Sequence, residues 1–251
     1  MSRWIFLRGL SRESRHWGEF PEVFGQAIPE AEVLTLDLPG NGQLHGMDSP
    51  ADVVSMAEYC RAELIRRGLP PPYHLLAMSL GAMVAVVWAD RHPEEIAGSV
   101  LINTSLRPCS PFYRRLRPVN YPALLCLLLG GSPRQWEETI LRLTSRLIAA
   151  PGAVVDRWMT YRQDSPVSHR NALRQLLAAA RYRAPAGRPM TPTLLLTSAQ
   201  DALVDTRCSQ ALAARWQAAI AVHPEAGHDI PLDDGRWVAR TVADWLRGGA
   251  R

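Results

Sequence analysis

Lysine is absent from this chain, and all 28 of its basic residues are arginine. That is a compositional preference for arginine, so residue type at any one basic position says little by itself. Cysteine is sparse: Cys60, Cys109, Cys126 and Cys208 are scattered, with no Cys-x-x-Cys spacing. Neither a zinc site nor a disulfide framework is indicated, and four free thiols are expected, Cys60 and Cys126 in apolar surroundings. No apolar run approaches the roughly 20 residues of a membrane-spanning helix. The apolar stretch from Trp4 to Leu7 is cut by Arg8, so no secretory leader is read and a cytoplasmic location is the default expectation. No histidine pair has the spacing of a metal-binding helix and no glycine-rich phosphate loop occurs. Gly40 and Gly42 lack further glycines in register for a dinucleotide fingerprint. No metal and no cofactor are expected.

What is present is ordinary for a globular protein. At 251 residues and 47% hydrophobic content, the chain suits one α/β domain with an insert rather than two independent domains. Six short apolar runs read as strands buried on both faces of a parallel sheet: Trp4 to Leu7, Glu32 to Leu36, His74 to Met78, Ser99 to Ile102, Thr193 to Thr197 and Ile220 to His223. Helical patterns alternate with them at Phe20 to Ala27, Val53 to Arg67, Leu80 to Arg91, Cys208 to Gln217 and Gly235 to Arg247. The alternation predicts a doubly wound, mostly parallel α/β sheet.

The run from Tyr73 to Ala85 places Ser79 where an apolar strand gives way to an apolar helix. A side chain on so sharp a turn points out of the sheet's carboxyl edge, and its neighbours must be small; Ala77 and Gly81 meet that demand. The helix N-terminus favours negative charge arriving from a substrate. The plain alternative is that Ser79 is only a helix N-cap. Two later segments supply what a nucleophilic serine needs. Asp201 follows the strand from Thr193 to Thr197, and His228 lies in the loop after the strand ending at His223. In chain order serine, acid, histidine, Ser79 would attack, His228 would take and return its proton, and Asp201 would orient the ring. Asp205, four residues further on, is read as a cap for the next helix.

These residues resemble the α/β-hydrolase superfamily. Residues 3–10 look like the strand and turn that usually end in His-Gly, residues 37–42 are similar to the Asp-x-Pro-Gly-x-Gly loop, and Asn103-Thr104 follows the strand ending at Ile102. The resemblance implies backbone oxyanion donors at Leu10 and Leu80. It also makes Arg8, which replaces the customary histidine, and Trp17 candidate substrate contacts, Arg8 being otherwise the partner of a nearby acid. Asn41 replaces another frequent histidine and Ala77 the first glycine of the serine motif. The family's first two antiparallel strands are missing, leaving a sheet of about six strands. Residues 1–105 and 191–251 would form the hydrolase core, and residues 106–190 a helical cap inserted after the sixth family strand.

The cap region is rich in helix-formers and broken by prolines, with amphipathic patterns at Trp136 to Ile148, Ala153 to Arg162 and Ser168 to Arg183. From Leu106 to Thr191 it carries 14 arginines against Glu137, Glu138, Asp156 and Asp164, so a basic lid faces an acidic core. Arginine there either only solvates the lid or recruits an anionic partner: a carrier protein, a charged substrate or an acidic membrane surface. The run Leu124 to Leu129 either lines a lipid-like pocket or packs inside the lid. Nucleic acid fits poorly, since no binding motif is present.

The leading reading is a serine hydrolase cleaving a carboxylic ester or thioester through an acyl-enzyme. It resembles the small capped esterases that cleave the methyl ester of pimeloyl carrier protein. Its substrate would be a small or carrier-bound acyl ester, an anionic one suiting the basic lid. The alternative is a cofactor-free lyase resembling the menaquinone-pathway synthase, in which the same triad abstracts a proton. A non-catalytic binding protein on the same fold would not need the intact triad.

Overall fold

The computed structural model describes residues 1–249, apart from the side chains of Leu128 and Leu129. In chain order β1 (Ser2–Leu7), α1 (Phe20–Ala27), β2 (Ala31–Leu36), α2 (Val53–Arg66), β3 (Tyr73–Met78), α3 (Leu80–Arg91) and β4 (Ile96–Ile102) alternate strictly. Five helices follow: α4 (Phe112–Arg115), α5 (Tyr121–Gly130), α6 (Pro133–Thr144), α7 (Pro151–Asp164) and α8 (His169–Arg181). The alternation resumes with β5 (Thr193–Ser198), α9 (Arg207–Trp216), β6 (Ala219–His223) and α10 (Ile230–Arg247). The six strands form one sheet, ordered β2-β1-β3-β4-β5-β6, with every pair parallel. All six expected strands are present, and no antiparallel strand flanks them among the described residues.

Strand β1 shows why its sequence is apolar throughout. Trp4 and Phe6 point into a core shared with Phe20 and Phe24 of α1 and Val238 and Val242 of α10, whereas Ile5 and Leu7 point into the opposite core, shared with α2 and α3. Both faces of the sheet are therefore covered, and each large side chain so buried contributes about 1.5–3 kcal/mol. Helix α3 runs beneath the sheet centre with the stretch Leu80 to Ala89 buried, as a helix apolar all round requires.

Register aligns the carboxyl ends of the strands. Leu7 pairs with Leu36 and Ala77, Met78 with Ile102, Ile102 with Leu196, and Ser198 with His223. The loops leaving those positions share one edge, where open α/β sheets bind ligands.

The segment between β4 and β5 departs from the sequence reading in detail. Helices α4 and α5 lie where no helix was expected, and α6 runs from Pro133 to Thr144 instead of Trp136 to Ile148. Three of the prolines there begin helices rather than interrupt them. Pro122, Pro133 and Pro151 stand in first turns, and Ser132 caps α6 reciprocally with Gln135. Cys60 is buried, with its thiol pushed up to about 12, chiefly by that burial. Cys126 is exposed, because α5 buries Leu127 on one side and turns Leu125 and Cys126 outward. Of the run Leu124 to Leu129, the last two side chains lie outside the described residues, as do the final residues 250 and 251 of the expected core.

Candidate active site

Strand β3 ends at Met78 and α3 begins at Leu80, so Ser79 alone makes the turn, at φ 55° and ψ −113°. An ordinary side chain held there stores roughly 1–3 kcal/mol of strain. The turn is pinned by the Ser79 amide donating to the Ile102 carbonyl at 3.0 Å and by Thr104 Oγ1 donating to the Ser79 carbonyl at 3.3 Å. Ser79 makes no side-chain capping bond to α3, so N-capping is not its role. Gly81 has to be small, since a Cβ there would stand 2.6 Å from the Arg8 carbonyl oxygen, and one at Gly9 would press on the Ser79 Cβ at 3.3 Å.

His228 and Asp201 are both buried, with His228 Nδ1 2.6 Å from Asp201 Oδ2. The other oxygen of Asp201 accepts the amides of Leu203 at 2.7 Å and Val204 at 2.9 Å. Asp205 instead pairs with Arg207, which holds its carboxyl below the usual range. Sequence reasoning noted Asn103 without its task. At φ 45°, Asn103 donates through Nδ2 to the His228 carbonyl at 2.7 Å, while its Oδ1 accepts from Thr197 Oγ1 and the Ser198 amide. It thus ties the histidine loop to the end of β5. A polar residue closing an apolar strand was the available signal.

Neither the Leu10 nor the Leu80 amide is taken by a backbone carbonyl among the described residues, and both residues line one cavity with Ser79 and His228. Arg8 spends its fork on Asp229, at 2.5 and 3.2 Å, with both residues 2% exposed. Trp17 lies beneath that guanidinium, 4.6 Å from its ring centroid, in the aromatic core beside Phe6. Of the two candidate substrate contacts, then, Arg8 is the partner of an acid and Trp17 supports it from below. A bidentate buried pair leaves little of the fork for a ligand.

Arg12, which the sequence did not single out, donates to Glu137 of α6 at 2.6 Å and contacts His16 Nε2 at 3.0 Å. Arginine has no acceptor, so His16 Nε2 accepts from Arg12, while Nδ1 lies 3.2 Å from both the amide and the carbonyl of Glu13. Burial, and then the charges of Arg12 and Arg8, push this histidine well below its ordinary value. Asn41 joins the same loop to α8: it donates to the Arg12 carbonyl and accepts from Gln175 Nε2 at 2.7 Å.

The cavity measures about 1070 Å³. Its walls are mainly apolar, with Phe112, Leu116, Tyr121, Leu124, Ile140 and Leu176 contributed by the segment between β4 and β5. Arg107, Arg115 and Arg183 also line it. Among the described residues, Arg134, Arg162 and Arg170 are the arginines of this segment that form ion pairs.

A parallel sheet with a strained serine turn, and an acid and a histidine on later loops of the same edge, defines an α/β hydrolase. The sequence matches the alpha/beta hydrolase family over residues 4–241, and the chain belongs to that family. It is 28% identical over 243 residues to the pimeloyl-acyl-carrier-protein methyl ester esterase of Chromobacterium violaceum, covering 92% of this chain and 90% of that protein. The enzyme of the same name from Neisseria meningitidis serogroup B is 26% identical over 254 residues, covering 94% and 92%. Among solved structures, a thermophilic esterase from Thermogutta terrifontis superposes with a TM-score of 0.75 at 20% identity, covering 100% of this chain and 91% of that one. A 2-hydroxy-6-oxo-6-phenylhexa-2,4-dienoate hydrolase from Rhodococcus sp. strain RHA1 gives 0.78 at 17% identity, covering 98% and 90%; these structural likenesses establish the fold alone. The chain is an enzyme with hydrolase activity and resembles the carrier-protein methyl ester esterases.

Proposed function

We propose that this chain is a serine esterase that cleaves a carboxylic ester or thioester through an acyl-enzyme. The observation that carries the reading is the buried Asp201–His228 contact of 2.6 Å in a loop whose histidine shares one cavity with the strained Ser79. Ser79 Oγ attacks the substrate carbonyl carbon and its proton passes to His228 Nε2. The carbonyl electron pair becomes an oxyanion held by the amides of Leu10 and Leu80. Collapse expels the alcohol or thiol, which takes the proton from His228. Water then repeats the sequence on the acyl-serine, releasing the acid and restoring Ser79.

Residues 106–190 act as a cap whose apolar inner face receives the acyl group. A cavity of about 1070 Å³ exceeds what an acetyl group fills, so medium acyl chains are preferred over short ones. The relatives' named substrate, a methyl ester on an acyl carrier protein, suits a basic cap with exposed Arg107 and Arg183 at the cavity. The lyase alternative would use guanidinium forks near Ser79 to hold carboxylates; those of Arg8 and Arg12 are engaged by Asp229 and Glu137, which leaves it only Arg107, Arg115 and Arg183 of the cavity wall.

The test is a panel of 4-nitrophenyl esters and thioesters of rising acyl length with purified protein. Turnover should rise beyond acetyl and fall by about a thousandfold or more in Ser79→Ala. A folded protein that turns over none of the panel would remove support for the esterase reading.

A further inference from the structure

We infer that Arg8 is a positioning residue that couples the three segments of the proposed catalytic apparatus and balances the charge beside its base. The inference deepens the serine-hydrolase reading and rests on it. The guanidinium of Arg8 donates through Nη2 and Nη1 to the two oxygens of Asp229, at 2.5 and 3.2 Å, and Nη1 also contacts Met78 Sδ at 3.6 Å. Asp229 follows the base His228, Met78 precedes the nucleophile Ser79, and Arg8 itself leads into Gly9 and the oxyanion amide of Leu10. One planar group therefore touches or belongs to the segments of the nucleophile, the base and the Leu10 amide, leaving the Asp201 loop to be held by its own contacts. The pair is 2% exposed at each end, and the Trp17 ring packs against the cation at 4.6 Å, so the fork is held in one orientation.

The position also has an electrostatic consequence. A lone carboxylate next to His228 would favour the imidazolium, and a lone guanidinium would oppose it; as a pair they nearly cancel. The other charged groups around the base come from every neighbouring element. Asp201 sits on Nδ1, and Asp233 of α10 interacts with Asp229. Arg12 acts on both Arg8 and Asp229 and is tied to Glu137 of α6, while Arg117 donates to the Asp201 carbonyl at 3.0 Å. Arg8 and Asp229 are the members whose charge can be changed while the contacts of Asp201 are left intact.

Arg8→Lys keeps the charge and loses the fork. Asp229→Asn leaves a buried arginine that cannot deprotonate. Arg8→Gln with Asp229→Asn makes both ends neutral. The His228 ring resonance, assigned with His228→Gln, is titrated by NMR in each folded variant, which requires no catalysis. In Asp229→Asn the midpoint should move down by about one pH unit relative to the unmodified protein, and in the double variant it should return. Arg8→Lys should leave the midpoint in place while kcat for a 4-nitrophenyl ester falls by tenfold or more with KM little changed. A merely structural ion pair would leave the balance between kcat and KM unmoved in Arg8→Lys. An unshifted His228 titration in folded Asp229→Asn overturns the electrostatic part, and unchanged kcat in Arg8→Lys overturns the positioning part. Absence of ester turnover in the unmodified protein would count against the esterase reading, with the titration still deciding the charge balance.

Discussion

Asp201 divides its two carboxylate oxygens between different tasks: Oδ1 accepts the amides of Leu203 and Val204, and Oδ2 stands 2.6 Å from His228 Nδ1. Backbone donors fix the carboxylate so that its remaining oxygen can fix the ring. Asp201→Asn should lower ester turnover by about 10⁴, the loss expected when the histidine is left in the wrong tautomer. Asp205→Asn, which only loses the Arg207 pair, should stay within severalfold of the unmodified enzyme. Steady-state kinetics of the two folded variants would reverse the assignment of the acid if Asp205→Asn proved the more damaging.

Gly81 has no room for a side chain, since its Cβ would stand 2.6 Å from the Arg8 carbonyl oxygen. Gly81→Ala must push α3 away from β1, displacing the Leu80 amide from the Leu10 amide. Misplacement on the scale of an ångström costs on the order of a hundredfold in rate. The expected outcome is that loss in kcat with far-ultraviolet circular dichroism unchanged; full activity would mean that the two loops are not held as closely as described.

His16 contributes a pH-dependent share of stability. Its folded value is pushed well below the ordinary one by burial and by Arg12 and Arg8, so below the unfolded value of about 6.5 the unfolded chain binds a proton that the folded chain refuses. Stability from this group is complete above about pH 6.5 and is lost as pH falls towards the folded value. Its share of the loss at pH 5 is at most about 2 kcal/mol, at 1.36 kcal/mol per pH unit. Urea unfolding at pH 8 and pH 5 should show a steeper loss for the unmodified protein than for His16→Gln, and equal slopes would place the proton elsewhere.

The basic segment between β4 and β5 should act through its exposed arginines at the cavity. Arg115 and Arg117 are poor probes, because they donate to the part-buried Ala179 and Asp201 carbonyls at 2.6 and 3.0 Å, whereas Arg107 reaches the Ala180 carbonyl only at 3.5 Å on the exposed surface. Arg107→Glu with Arg183→Glu should lower kcat/KM severalfold for anionic or carrier-bound esters and leave neutral short esters nearly unchanged. Added salt should mimic the variant, since screening shortens from about 10 Å at 0.1 M to about 3 Å at 1 M. Equal effects on neutral and anionic esters would leave these arginines a solvating role.

The parallel sheet was legible because its central strands are buried on both faces and so are apolar without alternation, although edge strand β6 leaves Ile220 and Val222 exposed, and Ser79, Asp201 and His228 were legible because each closes or follows such a run. Other features depended on contacts that no local pattern carries. Arg8 and Asp229 meet across 221 positions, and Arg12 and Glu137 across 125. Asn41 and Gln175 join a core loop to α8 with nothing in either neighbourhood to announce it. Helix boundaries between β4 and β5 were misplaced because proline was read as a breaker, although it also suits a helix's first turn. Trp17 drew notice only through the resemblance, downstream of the turn after β1, and its actual place under Arg8 follows from the face of the sheet that Phe6 shares with α1.

The central claim is a covalent acyl group on Ser79 during turnover. Mass spectrometry of protein acid-quenched in the pre-steady state with a slowly deacylating 4-nitrophenyl ester tests it most directly. The predicted result is one added acyl mass, mapped to the peptide holding Ser79, appearing with a stoichiometric burst of 4-nitrophenolate and absent from Ser79→Ala. Steady turnover with no burst and no adduct, persisting in folded Ser79→Ala, would contradict it.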